Sequence, residues 1–551
     1  MPIKCLVVDC LTTGDGNRKF TRDFIGAGPR YIAGFIEEIS QKTILTSLCR
    51  AEDILSSKNR SEKWLIQFPI ICISAMTMDL NTVALILREW QQVHPNILTR
   101  LVILGGPIAS DFDIRSKISP EDPNCIDLLI PGEAESILVQ LFQVEVLTNL
   151  LSQAHLEKKI VLITKYTNYT QNQNLERNQL AASWFADSTG FPDKILAYPE
   201  FPFARIYVEL VRGCSNFYRT SLQLHGEIAC SDSSCGKCHL DHPQSQITCP
   251  AHIPPGCGFC SAISCFGSSK SRNILPIIHE IKTLISLGAH RIVLGAPDFL
   301  DFYREKLVDG LLINPAEPEP NYAMIDQLIH ELLRIPQISN HQVQIFIENV
   351  KASLCTDRAL DLIAQLPNSH FSIGCETGSR EFASILGRPN SPEITLDAVQ
   401  RAIQRRIRVH VYFIHSLPGD TAKYTQETLS FMQSLSLLNI DKITLYKYQE
   451  LPGSPFYHLP SFNTQFDKAT RKNFEKIKRF VIGYNNSKKT QLLGQIVSVY
   501  LSEKNRDYPS DAIGWILEGG PKVSVQNAAE SVSGAVQSVT KAQEDVKNIT
   551  K

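Results

Sequence analysis

The chain has 551 residues, of which 55 are basic, 56 are acidic and 43% are apolar. This length predicts roughly three to four domains, and the near-zero net charge argues against nucleic-acid binding by bulk electrostatics alone. Because no stretch of ~18 consecutive apolar residues occurs and the first residues do not resemble a secretory signal, we expect a cytoplasmic protein without a membrane span.

Residues 1–145 alternate β-branched runs of strand length with stretches of helical spacing. Strand patterns occur at residues 4–9, 69–74 and 100–104, and a helical pattern at residues 29–39. This alternation predicts a doubly wound parallel sheet, whose ligands bind at the carboxyl ends of the strands. The candidate ligand loops are residues 12–17, 74–76, 105–107 and 131–133.

A second series of βα units follows a polar linker at residues 146–202. Its strand patterns lie at residues 204–210, 291–294, 343–347, 370–373, 408–413 and 442–446. Six units within residues 203–460 predict a partial (β/α)6 barrel, with its chemistry at the carboxyl ends of the strands.

The character of the sequence changes at residues 461–525. Residues 468–479 are typical of a basic amphipathic helix, and residues 492–525 of a small β module. The polar tail, residues 526–551, is expected to be flexible, either a frayed helix or disordered.

The cysteines are concentrated in one segment, which indicates metal binding because cytosolic thiols stay reduced. Eight of the 15 lie there: Cys214, Cys230, Cys235, Cys238, Cys249, Cys257, Cys260 and Cys265. A strand that ends in Cys214, together with Cys257 and Cys260, would put three thiolates at the barrel mouth. Three thiolates leave one iron of a [4Fe-4S] cluster open to a substrate or cosubstrate.

This pattern resembles the radical S-adenosylmethionine (SAM) family. The family usually has Cys-x3-Cys-x2-Cys after its first barrel strand, with an aromatic residue before the last cysteine, where Phe259 stands here. The chain departs from the pattern because 42 residues separate Cys214 from Cys257, as in a group of archaeal members. Cys249 and Cys265 are therefore alternatives to Cys214 as the first ligand.

Three further motifs over residues 204–460 carry the same resemblance. Residues 373–379 are similar to the segment that contacts SAM, which implies roles for Glu376 and Ser379. Residues 416–421 resemble the turn after the fifth strand and include Pro418 and Gly419. In place of the Gly-Gly-Glu loop that holds the SAM amino group stand Gly295 and Asp298. A structural zinc module alone would explain none of these motifs.

The N-terminal domain resembles the cobalamin-binding domain that precedes many radical SAM cores. The resemblance implies that the cofactor contacts Ser74, Gly105, Gly106, Gly132 and Glu133. The family's Asp-x-His-x-x-Gly motif is absent, and no histidine precedes His94. Cobalt would then be bound without a protein histidine, or the domain keeps the fold and has lost the ligand.

The insert at residues 215–256 carries a second candidate site. Cys230, Cys235, Cys238 and Cys249 have a spacing that suits tetrahedral zinc, which would stabilise an otherwise coreless loop. An auxiliary iron-sulfur cluster or no metal at all are the alternatives.

The C-terminal module weakly resembles a TRAM domain, an RNA-binding barrel. Residues 468–489 contain eight basic residues and one acidic residue, Glu475. Such a strip could contact phosphates, and RNA is a candidate partner, although a solvated helix face explains the strip equally well.

Together the motifs predict a radical SAM enzyme, and the resemblance implies a cobalamin-dependent methyltransferase acting at an unactivated carbon. The resemblance implies reductive cleavage of SAM, hydrogen abstraction from an unknown substrate, and an electron-donor protein as partner. The alternatives are a methylthiotransferase or another tRNA-modifying radical enzyme without cobalamin, and a non-catalytic zinc and RNA-binding protein. The methylthiotransferase alternative would need a second cluster, for which Cys10, Cys49 and Cys72 are present.

Overall fold

A computed structural model describes most of the chain. The described residues are 2–11, 23–55, 63–111, 113–122, 125–152, 183–201, 203–222, 249, 253–457, 466–505, 507–516, 520–532 and 536–540. The candidate loop 12–17 and three cysteines of the insert, Cys230, Cys235 and Cys238, lie outside them. Within them, no helix is long and apolar enough to cross a membrane.

The N-terminal region forms the expected doubly wound sheet. The strands of this region are β1 (Ile3–Asp9), β2 (Phe24–Ile25), β3 (Ile44–Arg50), β4 (Ile70–Ser74), β5 (Leu101–Gly105) and β6 (Leu128–Ile130), and all except β2 belong to this sheet. Its helices are α1 (Gly28–Ile39), α2 (Ala51–Leu55), α3 (Leu80–Val93), α4 (Ile114–Ile118), α5 (Glu135–Leu141) and α6 (Val144–Ser152). The parallel order β3-β1-β4-β5-β6 is that of flavodoxin-like folds. Apolar clusters cover both faces of this sheet, which is why its strands read as continuous apolar runs.

The second region forms a parallel, curled half-barrel. The strands of this region are β7 (Arg205–Glu209), β8 (Val211–Arg212), β9 (Lys270–Ser271), β10 (Arg291–Gly295), β11 (Gln344–Val350), β12 (His370–Glu376), β13 (Arg408–His415) and β14 (Lys442–Lys447). Of these, β8 and β9 pair with each other in a separate antiparallel sheet, and the others belong to the half-barrel. Its helices are α7 (Ala262–Phe266), α8 (Ile274–Ser286), α9 (Tyr322–Leu333), α10 (Pro336–Ser339), α11 (Asp357–Ile363), α12 (Arg380–Ile385), α13 (Pro392–Gln404) and α14 (Ala422–Leu437). All six predicted barrel strands are confirmed.

One strand of the half-barrel comes from the N-terminal region, which the sequence did not predict. β2 pairs in parallel with β7, so the sheet order is β14-β13-β12-β11-β10-β7-β2. The two residues of β2 are too few for a periodic pattern, and only the tertiary structure brings them to the edge of the barrel. The N-terminal domain is thereby joined to the barrel by backbone hydrogen bonds.

The C-terminal region consists of α15 (Lys468–Thr490) and an antiparallel sheet of β15 (Ile496–Lys504), β16 (Ala512–Ile516), β17 (Lys522–Val525) and β18 (Val536–Thr540). The predicted basic helix is confirmed and is longer than expected. The tail differs from expectation, because residues 536–540 form a strand that pairs with β15 rather than a frayed helix. These residues form a strand because their backbone pairs with β15, and no local sequence pattern indicates that pairing.

Candidate active site

The carboxyl ends of the two parallel sheets line a common cavity with a volume of about 460 Å³. On the N-terminal side the wall includes the ends of β1 and β4, where the strand order reverses and where ligands bind in this topology. On the barrel side the wall includes the ends of β7, β10 and β11. The N-terminal residues expected to bind a cofactor all line this cavity: Ser74, Gly105, Gly106, Gly132 and Glu133.

Three glycines shape the wall of this cavity. Gly106 and Gly132 have positive φ values of 83° and 69°, which favour glycine. A Cβ on Gly132 would lie 2.0 Å from the carbonyl oxygen of Cys265, so the N-terminal domain touches the segment that follows the last predicted cluster ligand. A Cβ on Gly105 would meet nothing closer than 3.9 Å, so a larger side chain there would extend into the cavity.

Replacing Gly132 by alanine should loosen the contact between the two domains. The left-handed conformation alone costs roughly 1–2 kcal/mol for a residue with a Cβ, and the clash with Cys265 adds to this cost. Gly494→Ala is the matched control, because Gly494 has a φ of 77° and nothing within 4 Å of its Cβ position. We expect a lower midpoint of thermal unfolding for Gly132→Ala than for the control; equal midpoints would contradict the assigned contact.

A buried charge network joins the two domains beside the cavity. Arg212 lies 2.6 Å from Glu135 and 3.2 Å from Glu133 of the N-terminal domain, and 2.9 Å from Glu209 of the barrel. Lys270 adds a second cation, 2.7 Å from Glu133. Burial raises the pKa of Glu133. At Glu135 burial also acts to raise the pKa, but the charge and hydrogen bond of Arg212, a backbone hydrogen bond and the charge of Lys270 together lower it. Separating the two domains' partners would leave a buried charge without its counter-ion, which is strongly destabilising. The network therefore holds the two domains together.

The structure brings Cys214, Cys257 and Cys260 together despite the long insert. The backbone N–H of Asn216 donates to Cys214 Sγ at 3.4 Å, and its side-chain Nδ2 donates to Cys257 Sγ at 3.2 Å. The backbone N–H of Cys260 donates to the carbonyl of Cys257 at 2.9 Å. Burial raises the pKa of Cys260 to about 12, and the nearby Cys257 and Cys214 thiols add to the rise. The three thiols therefore form one group.

In the part of the chain that the structure describes, no three His, Cys, Asp or Glu side chains converge on a site for a single metal ion. A [4Fe-4S] cluster is held differently, because its thiolates bind separate irons. The zinc hypothesis rests mainly on Cys230, Cys235 and Cys238, which lie outside the described residues, while Cys249 is described as a half-buried free thiol. Zinc binding stays a prediction.

Glu376 and Arg388 connect the cysteine group to the end of β12. Arg388 Nη1 donates to Cys257 Sγ at 3.5 Å and lies 3.8 Å from Glu376 Oε1. The carboxyl of Glu376 lies over Gly374, where a Cβ would stand 2.4 Å from Oε1. Glu376 has a φ of 68°, a strained conformation for a residue with a side chain. Burial raises the pKa of Glu376 although Arg388 opposes the rise.

Asp298, the carboxylate expected to contact SAM, is fully buried and bound by the protein itself. Its Oδ1 accepts hydrogen bonds from the backbone N–H groups of Leu300 and Lys351, both at 3.0 Å. Its Oδ2 lies 3.1 Å from Lys351 Nζ, which also pairs with Asp301 at 2.8 Å. In this arrangement Asp298 fixes the loop that follows β10.

Glu348, near the end of β11, is a cavity residue that the sequence analysis missed. Its Oε2 accepts the backbone N–H of Ala296 at 3.0 Å and stands 3.5 Å from the Cβ position of Gly295. Among the described residues it has no cationic partner, and burial raises its pKa to about 7. A carboxylate near the carboxyl end of a predicted strand was the available signal, but any strand can end in such a residue.

The remaining predicted residues lie around the mouth of the barrel. Phe259 packs with an apolar cluster that includes Phe382. Ser379 caps α12, because its Oγ accepts the backbone N–H of Phe382 at 3.4 Å. Pro418 is buried, and Gly419 has a φ of 84°.

The cysteines of the N-terminal domain do not form a second cluster site in this arrangement. Cys72 Sγ lies 3.7 Å from Cys5 Sγ in the core on one face of the sheet. Cys10 and Cys49 lie in the core on the opposite face, where burial raises the pKa of both thiols. The three cysteines that the methylthiotransferase alternative would need are therefore separated by the sheet.

Sequence comparisons identify a family and relatives for this chain. The family model for the Radical SAM superfamily matches residues 249–432. An uncharacterised protein of Methanocaldococcus jannaschii is 33% identical over 536 residues, which cover 96% of this chain and 94% of that protein. The ribosomal protein uS12 methylthiotransferase RimO of Thermotoga sp. (strain RQ2) is a more distant relative, 24% identical over 40% of this chain and 47% of its own length.

Two solved structures share the fold. The apo form of the cobalamin-dependent S-adenosylmethionine radical enzyme OxsB matches with a TM-score of 0.52 and 12% identity, over 83% of this chain and 60% of that chain. The radical S-adenosylmethionine methyltransferase TsrM from Kitasatospora setae, with tryptophan substrate and a SAM analogue bound, matches with a TM-score of 0.50 and 12% identity, over 82% and 74%. At this identity the likeness concerns the fold alone. The family-model match and the full-length relative together show that the chain belongs to the radical SAM superfamily.

Proposed function

We propose that this radical SAM enzyme is a cobalamin-dependent methyltransferase that acts at an unactivated carbon. The observation that carries the proposal is the cavity shared by the two sheets. A ligand at the topological switch point of the N-terminal sheet would face the carboxyl ends of the barrel strands. This is the arrangement that a methyl donor and a radical site need to reach one substrate.

The residues of the cavity suit a large flat ring. Gly105 leaves the cavity wall without a protruding side chain. At Gly106 the neighbouring backbone lies so close that only glycine fits. Of the described residues that line the cavity, none is a histidine, so these residues offer no imidazole ligand to cobalt. The missing Asp-x-His-x-x-Gly motif leaves the same two alternatives, a corrinoid bound without a protein histidine or a domain that has lost the ligand.

The thiols of Cys214, Cys257 and Cys260 would hold the [4Fe-4S] cluster that the family uses and leave one iron open for SAM. When bound, these groups supply a carbon-centred radical and a transferable methyl group, which protein side chains cannot supply. We propose that Glu348 accepts a hydrogen bond from the amino group of SAM, because it is the cavity carboxyl beside Gly295 that has no cationic partner in the described chain. The apolar wall and the buried network around Arg212 would exclude water and keep the two domains together.

The test is anaerobic reconstitution with iron, sulfide and hydroxocobalamin, followed by measurement of bound corrinoid. Gly105→Leu should weaken corrinoid binding by at least about tenfold, or 1.4 kcal/mol, because the side chain fills the space of the ring. Gly483→Leu is the control, since Gly483 lies in α15 with nothing within 4 Å of its Cβ position. Iron with SAM cleavage to 5′-deoxyadenosine but no bound corrinoid in the wild type would contradict the proposal and leave a cobalamin-independent radical enzyme.

A further inference from the structure

The interruption of the cluster motif poses a structural problem for this chain. In the usual motif three residues separate the first two cysteines, so the covalent chain itself keeps them close. Here 42 residues separate Cys214 from Cys257, and a loop of this length imposes little restraint on the distance between its ends. Non-covalent contacts must therefore hold Cys257 beside Cys214.

Asn216 makes several of those contacts, and both the nitrogen and the oxygen of its side-chain amide are hydrogen-bonded. The side-chain Nδ2 donates to Cys257 Sγ at 3.2 Å and to the carbonyl of Gly387 at 3.0 Å. The side-chain Oδ1 accepts the backbone N–H of Tyr218 at 3.3 Å, while the backbone N–H of Asn216 itself donates to Cys214 Sγ at 3.4 Å. The residue is only 2% exposed. One side chain thus links the loop after β8, the second cysteine and the loop after α12.

We propose that Asn216 is a positioning residue that holds Cys257 at the cluster and raises the reduction potential of that cluster. A hydrogen bond to a ligating sulfur disperses negative charge, so it stabilises the reduced form, which carries one more electron, more than the oxidised form. Hydrogen bonds to the sulfurs are one of the means by which proteins set cluster potentials. Arg388 donates to the same sulfur from 3.5 Å, so Cys257 is the thiol with two side-chain donors, one of them cationic.

The proposal rests on the radical SAM family alone and not on methyl transfer, so it is tested without SAM, corrinoid or substrate. The full-length protein is reconstituted with iron and sulfide, and the electron paramagnetic resonance signal of the reduced cluster is followed against applied potential. Asn216→Ala removes the Nδ2 donor and keeps the backbone donor to Cys214. Asn216→Asp keeps the shape and replaces the donor by a carboxyl. Asn390→Ala is the control, because Asn390 is also buried (4% exposed) and accepts the backbone N–H of Ser353.

We expect the reduction potential of the cluster to be highest in the wild type, lower in Asn216→Ala and lowest in Asn216→Asp. The expected size is about a tenfold lower ratio of reduced to oxidised cluster at a fixed applied potential for Asn216→Ala, or 59 mV for a one-electron couple. The control variant, Asn390→Ala, should have the same reduction potential as the wild type. Equal potentials for wild type and Asn216→Ala, or an equal shift in Asn390→Ala, would overturn the proposal. Failure of both Asn216 variants to hold iron, with unchanged circular dichroism, would also overturn the tuning role and leave a purely structural one.

Discussion

Replacing Cys257 by alanine is expected to abolish cluster binding and SAM cleavage together. A [4Fe-4S] cluster that leaves one iron open has three thiolate ligands, and two thiolates do not retain it through reduction. Bound iron should fall from about four per chain to a small fraction of that, and 5′-deoxyadenosine formation should fall to the background level. Iron analysis and the absorbance of the reconstituted protein measure the first effect, and anaerobic incubation with reductant and SAM the second.

The alternatives for the first ligand give this experiment its control. Cys265 Sγ lies 3.5 Å from Ser110 Oγ of the N-terminal domain, whereas Asn216 links Cys214 to Cys257. Cys214→Ala should therefore lose iron as Cys257→Ala does, and Cys265→Ala should keep it. Loss of iron in Cys265→Ala with retention in Cys214→Ala would show that the interrupted motif uses another cysteine.

Replacing Glu348 by glutamine is expected to weaken SAM binding by about tenfold or more, because a hydrogen bond to a charged group contributes roughly 1.5–3 kcal/mol. Equilibrium dialysis of the cluster-loaded protein at pH 8 measures this change. The same variant should bind an analogue that lacks the amino group as tightly as the wild type does. Asp298→Asn is the comparison that separates the two candidate carboxyls, and a larger loss of SAM affinity in that variant would contradict the assignment.

The pH dependence of stability checks that Glu348→Gln remains folded and that Glu348 is buried as described. Burial raises the pKa of this carboxyl from 4.5 to about 7, so the folded protein favours the protonated form. The contribution of Glu348 to the free energy of unfolding is fully present below pH 4.5 and is lost as the pH rises through about 7. Glutamine avoids this loss, so the variant should gain stability relative to the wild type between pH 5 and pH 8, by up to about 3 kcal/mol at 1.36 kcal/mol per pKa unit. A difference in unfolding midpoint that does not change with pH would contradict the assigned burial.

The barrel strands could be predicted because parallel strands covered on both faces are continuous β-branched runs. Ser74 and Gly105 lie at the ends of such runs, so the sequence could also predict that they reach the carboxyl edge of the sheet, where they line the cavity. By contrast, β2 has two residues and no pattern, and β18 is a strand only because it pairs with β15. Pairing between distant segments is a property of the fold and has no local signature.

The sequence by itself determined the family, because Cys257-Gly258-Phe259-Cys260 and the glycine-rich loops are local patterns that the chemistry requires. It also determined the order of the two parallel α/β units. Only the tertiary structure decided which of the two carboxyls near Gly295 faces the cavity. Asp298 forms an ion pair with Lys351, whereas Glu348 has no cationic partner in the described chain. The tertiary structure also decided how Cys214 meets Cys257, through the backbone N–H and the side-chain amide of Asn216. Side-chain direction and partners depend on contacts between residues far apart in the chain, and a local sequence pattern contains no information about them.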